Sequence, residues 1–260
     1  MKIRILMLSS LILLPLELFA QSPEEKGLAI AVEADKRDTG WNDIKTELSM
    51  VLRNRQGQES KRRMRSKILE VEGDGDKSLI VFDYPRDIKN TAFLSYTHAL
   101  KADDQWLYLP ALKRVKRISS NNKSGPFMGS EFAYEDISSQ EVEKYKYKFI
   151  KDDQINGRDA FVIERYPQYK HSGYTRQIAW VDKEMYQPLK IIFYDRKDSL
   201  LKELVFIGYK QYLGKFWRPL KLEMVNKQNG KSTTLEYRDY QFKTGLTDKN
   251  FNRNTLKRTR

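Results

Sequence analysis

From Ile44 onward the chain is written mostly in a period of two. Ile44, Thr46, Leu48, Met50 and Leu52 alternate with Lys45, Glu47, Ser49, Val51 and Arg53, the pattern of a strand with one face buried and one in water. Residues 54–58, with Gly57 among them, turn the chain, and Met64, Ser66 and Ile68 then alternate with Arg63, Arg65 and Lys67 to complete a hairpin. The same grammar returns later. Tyr145, Tyr147 and Phe149 alternate with Lys144, Lys146 and Lys148, and Asn156-Gly157 turns the chain into a strand over residues 160–166. Further strands are expected over residues 176–182, 189–195, 200–212, 217–226 and 232–242, separated by Pro188, residues 195–199, Gly214 and Asn229-Gly230. Sequential strands joined by short turns make antiparallel meanders, with about ten or eleven strands expected in all.

One segment reads differently. Ser22-Pro23-Glu24-Glu25 has Ser at the N-cap, Pro at the first helical position and Glu at the third, and Gly40 is placed to end a helix over residues 23–38. A meander of this length twists and curls. A long helix can cover its open side, so the expected fold is mainly β with one long N-terminal helix: an unclosed antiparallel barrel under a helical lid, with an apolar interior. Such an interior is either filled by side chains or left open for a ligand, and periodicity does not choose between them.

Residues 1–20 precede this fold. Lys2 and Arg4, then an apolar run over residues 5–16, then Ala20, read as a secretory signal peptide cleaved after Ala20. Residues 21–260 are expected to form a single domain in the periplasm. Removing the leader takes out two cations and one anion, so the formal charge falls from +13 to +12. In a cytoplasmic protein that charge would raise nucleic acid as a partner. Export redirects it to anionic lipid headgroups, phosphorylated glycolipids or an acidic protein.

The chemistry of catalysis is poorly represented. With no Cys and only His98 and His171, thiolate and His-rich metal sites are excluded. No nucleophile elbow, glycine-rich dinucleotide loop or P-loop occurs. Asp103-Asp104 and Asp152-Asp153 read as turn residues. No catalytic residue, metal or cofactor is expected.

Residues 106–136 carry the most specific signal. They run W-x-Y-L-P-A-L-x-R-x-x-R-I from Trp106 to Ile118, then F-M-G-S from Phe127 to Ser130, then Y-E-D from Tyr134 to Asp136. The stretch resembles the signature of periplasmic proteins related to the outer-membrane lipoprotein-sorting carriers, the LolA-like family. The weaker remainder of the match covers most of the mature chain. The resemblance implies an unclosed β-barrel with a helical lid around a hydrophobic cavity. It also implies a carrier for a lipid or the acyl chain of a lipoprotein, working beside an inner-membrane exporter of the resistance-nodulation-division (RND) type. This chain is longer than the sorting carriers, which marks it as a relative of them.

The candidate cavity wall is drawn from the apolar faces of the early strands and the signature: Met50, Leu52, Met64, Ile68, Phe82 and Phe93, with Trp106, Tyr108, Phe127, Met128 and Phe132. For each, ordinary core packing is the competing reading. Lys113, Arg114, Lys116 and Arg117 follow an expected turn at Pro110 and form a cationic hairpin. It either docks on anionic headgroups or a partner at the membrane surface, or protects an edge strand from pairing. Arg62, Arg63 and Arg65 have Glu47 opposite and suggest a structural cluster. The glycine-punctuated residues 124–130 are expected to gate the cavity or to tuck Phe127 into the core. Glu131, Glu135 and Asp136 are expected at a solvated rim or paired with the basic hairpin. A protein that carries no cargo and docks on an envelope transporter is the alternative function.

Overall fold

A computed structural model describes residues 21–258 of the chain; the expected leader lies outside them. The helix α1 (Pro23–Arg37) begins as its sequence dictates. Ser22 Oγ accepts from the Glu25 amide, Glu25 returns a bond to the Ser22 amide, and Glu24 and Glu25 complement the positive end of the helix.

Fifteen strands follow among the described residues. The first half contributes β1 (Asp43–Arg53), β2 (Glu59–Leu69), β3 (Lys77–Tyr84), β4 (Ala92–Tyr96), β5 (Asp104–Leu109) and β6 (Arg114–Ile118). The second contributes β7 (Tyr145–Ile155), β8 (Arg158–Pro167), β9 (Arg176–Asp182), β10 (Pro188–Tyr194), β11 (Leu200–Ile207), β12 (Lys210–Tyr212), β13 (Phe216–Arg218), β14 (Lys221–Asn226) and β15 (Ser232–Phe242). Thirteen of them form one sheet in the order β6-β5-β4-β3-β2-β1-β15-β14-β11-β10-β9-β8-β7, while β12 and β13 pair separately. All neighbours in the sheet are antiparallel. Its edges, β6 and β7, do not pair with each other, so the barrel is unclosed.

The strand count exceeds the ten or eleven expected, in part because two of the expected strands are each divided. Residues 200–212 divide at Gly208, whose φ of 71° breaks the extended backbone, and residues 217–226 divide at Pro219, which donates no ladder bond. Asp152 and Asp153 are also corrected: they sit inside β7, where Lys183 and Trp180 hold them at 2.7 and 3.1 Å.

The helix closes on the β7 edge. Gly27 explains how near it comes, since a Cβ there would lie 2.7 Å from the Phe149 backbone nitrogen. Any side chain at 27 would lift the helix from the strand, and Lys26 Nζ sits 3.4 Å above the Phe149 ring beside it.

Both faces of strands β3–β5 are buried. Ile80, Phe82, Phe93 and Leu107 face inward to the main core, whereas Leu79, Val81, Leu94, Trp106 and Tyr108 face outward beneath Leu246, Phe251 and Leu256 of the C-terminal segment. That double burial is why β3 reads as a nearly continuous apolar run.

Candidate amphiphile-binding cavity

The curled sheet and α1 enclose a cavity of about 1430 Å³. Pockets for drug-sized ligands run to roughly 1,000 Å³, so this space has room for a long chain. The alternation read along β1 and β2 builds one wall: Leu48 pairs with Met64 and Ile44 with Ile68, and Met50 extends the same face. The second half of the sheet supplies the rest through Ile163, Val181, Ile191, Leu204, Leu222 and Leu235, and α1 adds Ile30, Ala31 and Ala34. The sequence carried the same period-two signal in these later strands. What it lacked was a sign of which face turned inward.

Among the expected wall residues, Met50, Met64, Ile68, Phe127 and Phe132 line the cavity. Phe82 and Phe93 are fully buried behind Phe127, with ring centroids 6.0 and 5.3 Å from it. Leu52 and Met128 pack half-buried against the same core outside the lining. Trp106 and Tyr108 are corrected. They lie on the outer face of β5, and Leu107 between them is the residue that points in. The run Trp106-Leu107-Tyr108-Leu109 is apolar at every position, so its parity could not be read from the sequence.

The far end of the cavity is stoppered by residues 124–136. Phe127 is 0% exposed, edge-on to Phe93 and Tyr134, and its amide donates to the Phe132 carbonyl at 2.7 Å. The barrel wall grips this turn: Arg62 donates to the Met128 carbonyl, Lys202 Nζ to the Glu131 carbonyl at 2.9 Å, and Asn226 to the Glu131 carboxylate at 2.7 Å. The loop seats on the wall as a plug through these bonds, and Phe127 is the part of it that enters the core.

The side chains of Glu135 and Asp136 are buried, contrary to the expected solvated rim, while Glu131 is half-buried. Asp136 pairs with Lys202 at 2.7 Å and accepts from the Tyr174 hydroxyl at 2.9 Å. Glu135 accepts from Tyr169, Ser172 and the Gly173 amide, and burial with Asp136 close by raises its pKa above the usual carboxylate value. Neither acid meets the basic hairpin. Asp103, expected in a turn, is likewise buried between Lys144 at 2.5 Å and Lys123 at 3.7 Å.

The near end is open and acidic. Asp35 and Asp38 from the end of α1, Glu70, Glu72, Asp74 and Asp76 around the β2–β3 turn, and Glu141 and Glu143 all border it. Gly75 lets this turn sit against the chain after β4, since a Cβ there would meet the Thr97 carbonyl carbon at 2.5 Å. Burial, reinforced by Glu141 and Glu70, pushes Asp76 up to about 7, while its hydrogen bonds from Ser139 and Val71 oppose the shift. Asp74 goes the other way, to about 2, because it is hydrogen-bonded to His98.

The cationic hairpin stands apart from both ends of the lining. Lys113 takes the left-handed conformation after the short helical turn Pro110–Leu112, and β6 is an edge strand. Arg117 pairs with Asp104 at 2.6 Å; Lys113, Arg114 and Lys116 are exposed. In the other basic cluster the partner differs from expectation: Arg65 lies opposite Glu47 but bonds Asp83 on β3 at 2.9 Å. Among the described residues no group of three or more His, Cys, Asp or Glu side chains is arranged to hold a metal, and no helix is long and apolar enough to cross a membrane.

A family model described as an uncharacterized protein matches residues 74–258. No curated protein matches the chain by sequence. Among solved structures, one assigned as an outer membrane lipoprotein-sorting protein domain from Vibrio parahaemolyticus is 59% identical, with a TM-score of 0.89 over 90% of this chain and 99% of that one. A DUF1329 family protein from Desulfovibrio piger is 32% identical, with a TM-score of 0.85 over 90% and 99%. A LolA superfamily protein from Nitrosomonas europaea shares the fold, at 20% identity and a TM-score of 0.70 over 88% and 98%. At 59% and 32% identity over nearly the whole of the first two structures, the chain belongs to the outer-membrane lipoprotein-sorting-like (LolA-like) family.

Proposed function

We propose that this protein is a periplasmic carrier that holds an apolar chain of a lipid or acylated protein in its cavity, and works in lipid or lipoprotein traffic toward the outer membrane. The observation that carries the reading is the cavity itself, about 1430 Å³ walled by aliphatic and aromatic side chains and open at one end. Kinship with a lipoprotein-sorting domain supports it. Burying each methylene gains about 0.8 kcal/mol, so ten methylenes contribute on the order of 8 kcal/mol before ordering losses. Met50 and Met64 suit a chain of variable shape, because the unbranched thioether adapts to irregular contacts.

Delivery needs a donor and an acceptor, and β6 is where the reading places a partner contact. This bare edge with three unpaired-looking cations, Lys113, Arg114 and Lys116, suits an acidic face on an RND-type exporter or an anionic membrane surface. The test of the carrier reading is native mass spectrometry of protein purified from its own periplasm, followed by lipid extraction. A bound amphiphile that is lost when Ala34 is replaced by Trp is expected. Protein that emerges free of lipid and takes none up from vesicles would leave docking as its function.

A further inference from the structure

One inward-facing rung of the sheet carries chemistry that an apolar wall does not need. Tyr147, Arg165, Gln177, Phe193, Lys202 and Asn226 are successive Cα partners across β7, β8, β9, β10, β11 and β14. The rung lies at the level of the plug, which Lys202 and Asn226 both hold. Two of its members are cations. Lys202 is neutralised by Asp136 at 2.7 Å. Arg165 lines the cavity, two residues along β8 from Ile163 on the same face, and among the described residues it makes no ion pair.

Arg165 is nevertheless held in place. Its Nε donates to Gln177 Oε1 at 2.6 Å, and Gln177 is itself 2% exposed. Its guanidinium carbon lies 4.9 Å from the centre of the Tyr145 ring, which fixes the plane of the fork. The two terminal nitrogens remain for a ligand. A planar guanidinium is weakly hydrated and matches the two oxygens of a carboxylate or phosphate. The residue is half-buried, which leaves those terminal nitrogens accessible from the cavity. Glu70 and Glu72 border the mouth and repel the same partner there, where Arg218 is already paired with Asp38 at 2.6 Å.

Building on the carrier reading, we infer that Arg165 is an anchor for the oxyanion of a single-chain amphiphile. The cargo enters headgroup first, sets its carboxylate or phosphate on the Arg165 fork, and lies back along Ile163, Val181 and Ile191 toward the mouth. Gln177 positions the fork and does not touch the cargo.

The test compares three sixteen-carbon probes by calorimetry on delipidated protein: palmitate, hexadecyl phosphate and hexadecanol, which has the same chain with a neutral head. The wild-type protein is expected to bind at least one anionic probe about tenfold to a hundredfold more tightly than hexadecanol, the span expected of charge-assisted bonds. Preference for palmitate alone assigns a carboxylate; preference for hexadecyl phosphate alone assigns a phosphate. Arg165→Met closes the gap between anion and alcohol, and Arg165→Lys reopens part of it. The unliganded Arg165→Met protein melts somewhat lower, since the buried Gln177 oxygen loses its donor, so the deciding readout is the ratio of anion to alcohol affinity. The inference is overturned if Arg165→Met keeps the preference for anions, or if it weakens all three probes alike, which would make Arg165 structural. Tight hexadecanol binding without any anion preference overturns the anchor and leaves the carrier reading standing. Failure of all three probes to bind the wild-type protein overturns both.

Discussion

The two ends of the cavity differ in kind. At the closed end the plug is matched to the wall: Asp136 has Lys202 and Tyr174, Glu131 has Asn226, and the Met128 carbonyl has Arg62. At the open end carboxylates crowd one another, and Asp35, Asp38, Asp76 and Glu141 all have raised pKa values, chiefly through burial. One end is built for rigidity and the other for access. Matched buried charges lock a loop in one geometry, whereas like charges at a rim keep it hydrated and hold its elements apart.

The largest expected effect comes from breaking the closed end. Lys202→Met leaves Asp136 buried without its cation, and the loss in a urea unfolding curve should be about 3–5 kcal/mol. Arg218→Met at the mouth removes a pair whose acid is one-third exposed, at 33%, and should cost about 1 kcal/mol or less. Equal losses from the two substitutions would erase the distinction between the ends.

Next is the pH response of the rim. Asp76 is protonated in folded and unfolded chains alike below pH 4. Between its unfolded value of 3.8 and about 7 only the folded protein keeps the proton. Stability therefore falls as pH rises through that window, by up to about 1.4 kcal/mol per pH unit, and stays reduced above it. Asp76→Asn should remove that fall, so the variant melts higher than wild type at pH 8 and matches it at pH 4. Melting curves that run parallel at both pH values would contradict the strained rim.

Filling the open end has a smaller effect on free energy and a selective one. Ala34→Trp places an indole in the cavity from α1 and should weaken acyl-chain binding at least tenfold, about 1.4 kcal/mol, with little change in the unfolding midpoint. A bulky residue at 27 would serve poorly for this purpose, because it strikes the Phe149 backbone.

The smallest effect is expected at β6. Replacing Lys113, Arg114 and Lys116 with Gln should change stability by about 0.5 kcal/mol or less, yet weaken adhesion to anionic vesicles or an acidic partner in a salt-dependent way. Aggregation of the variant with no change in adhesion would identify the cations as edge protection.

Much of this was legible in the chain. The Ser22 capping box, the Ile44–Leu52 alternation and the turn at Pro110 each specify their structure locally, because hydrogen bonds and side-chain period act over a few residues. The wall residues Met50, Met64 and Ile68 followed from that alternation. Trp106 and Tyr108 did not, since a strand buried on both faces has no polar side to set its parity. Arg165 also escaped notice: in β8 it reads like any solvent-facing cation beside Glu164.

The sequence by itself determined the helix, the succession of antiparallel strands and the family signature, all of which rest on local pattern. Tertiary structure alone decided that the C-terminal segment covers β3–β5, that Phe127 and Asp136 form a plug, and that Arg165 faces the cavity. Those outcomes depend on which distant segments meet when the sheet curls, and a period of two names the faces of a strand without saying what will lie against either.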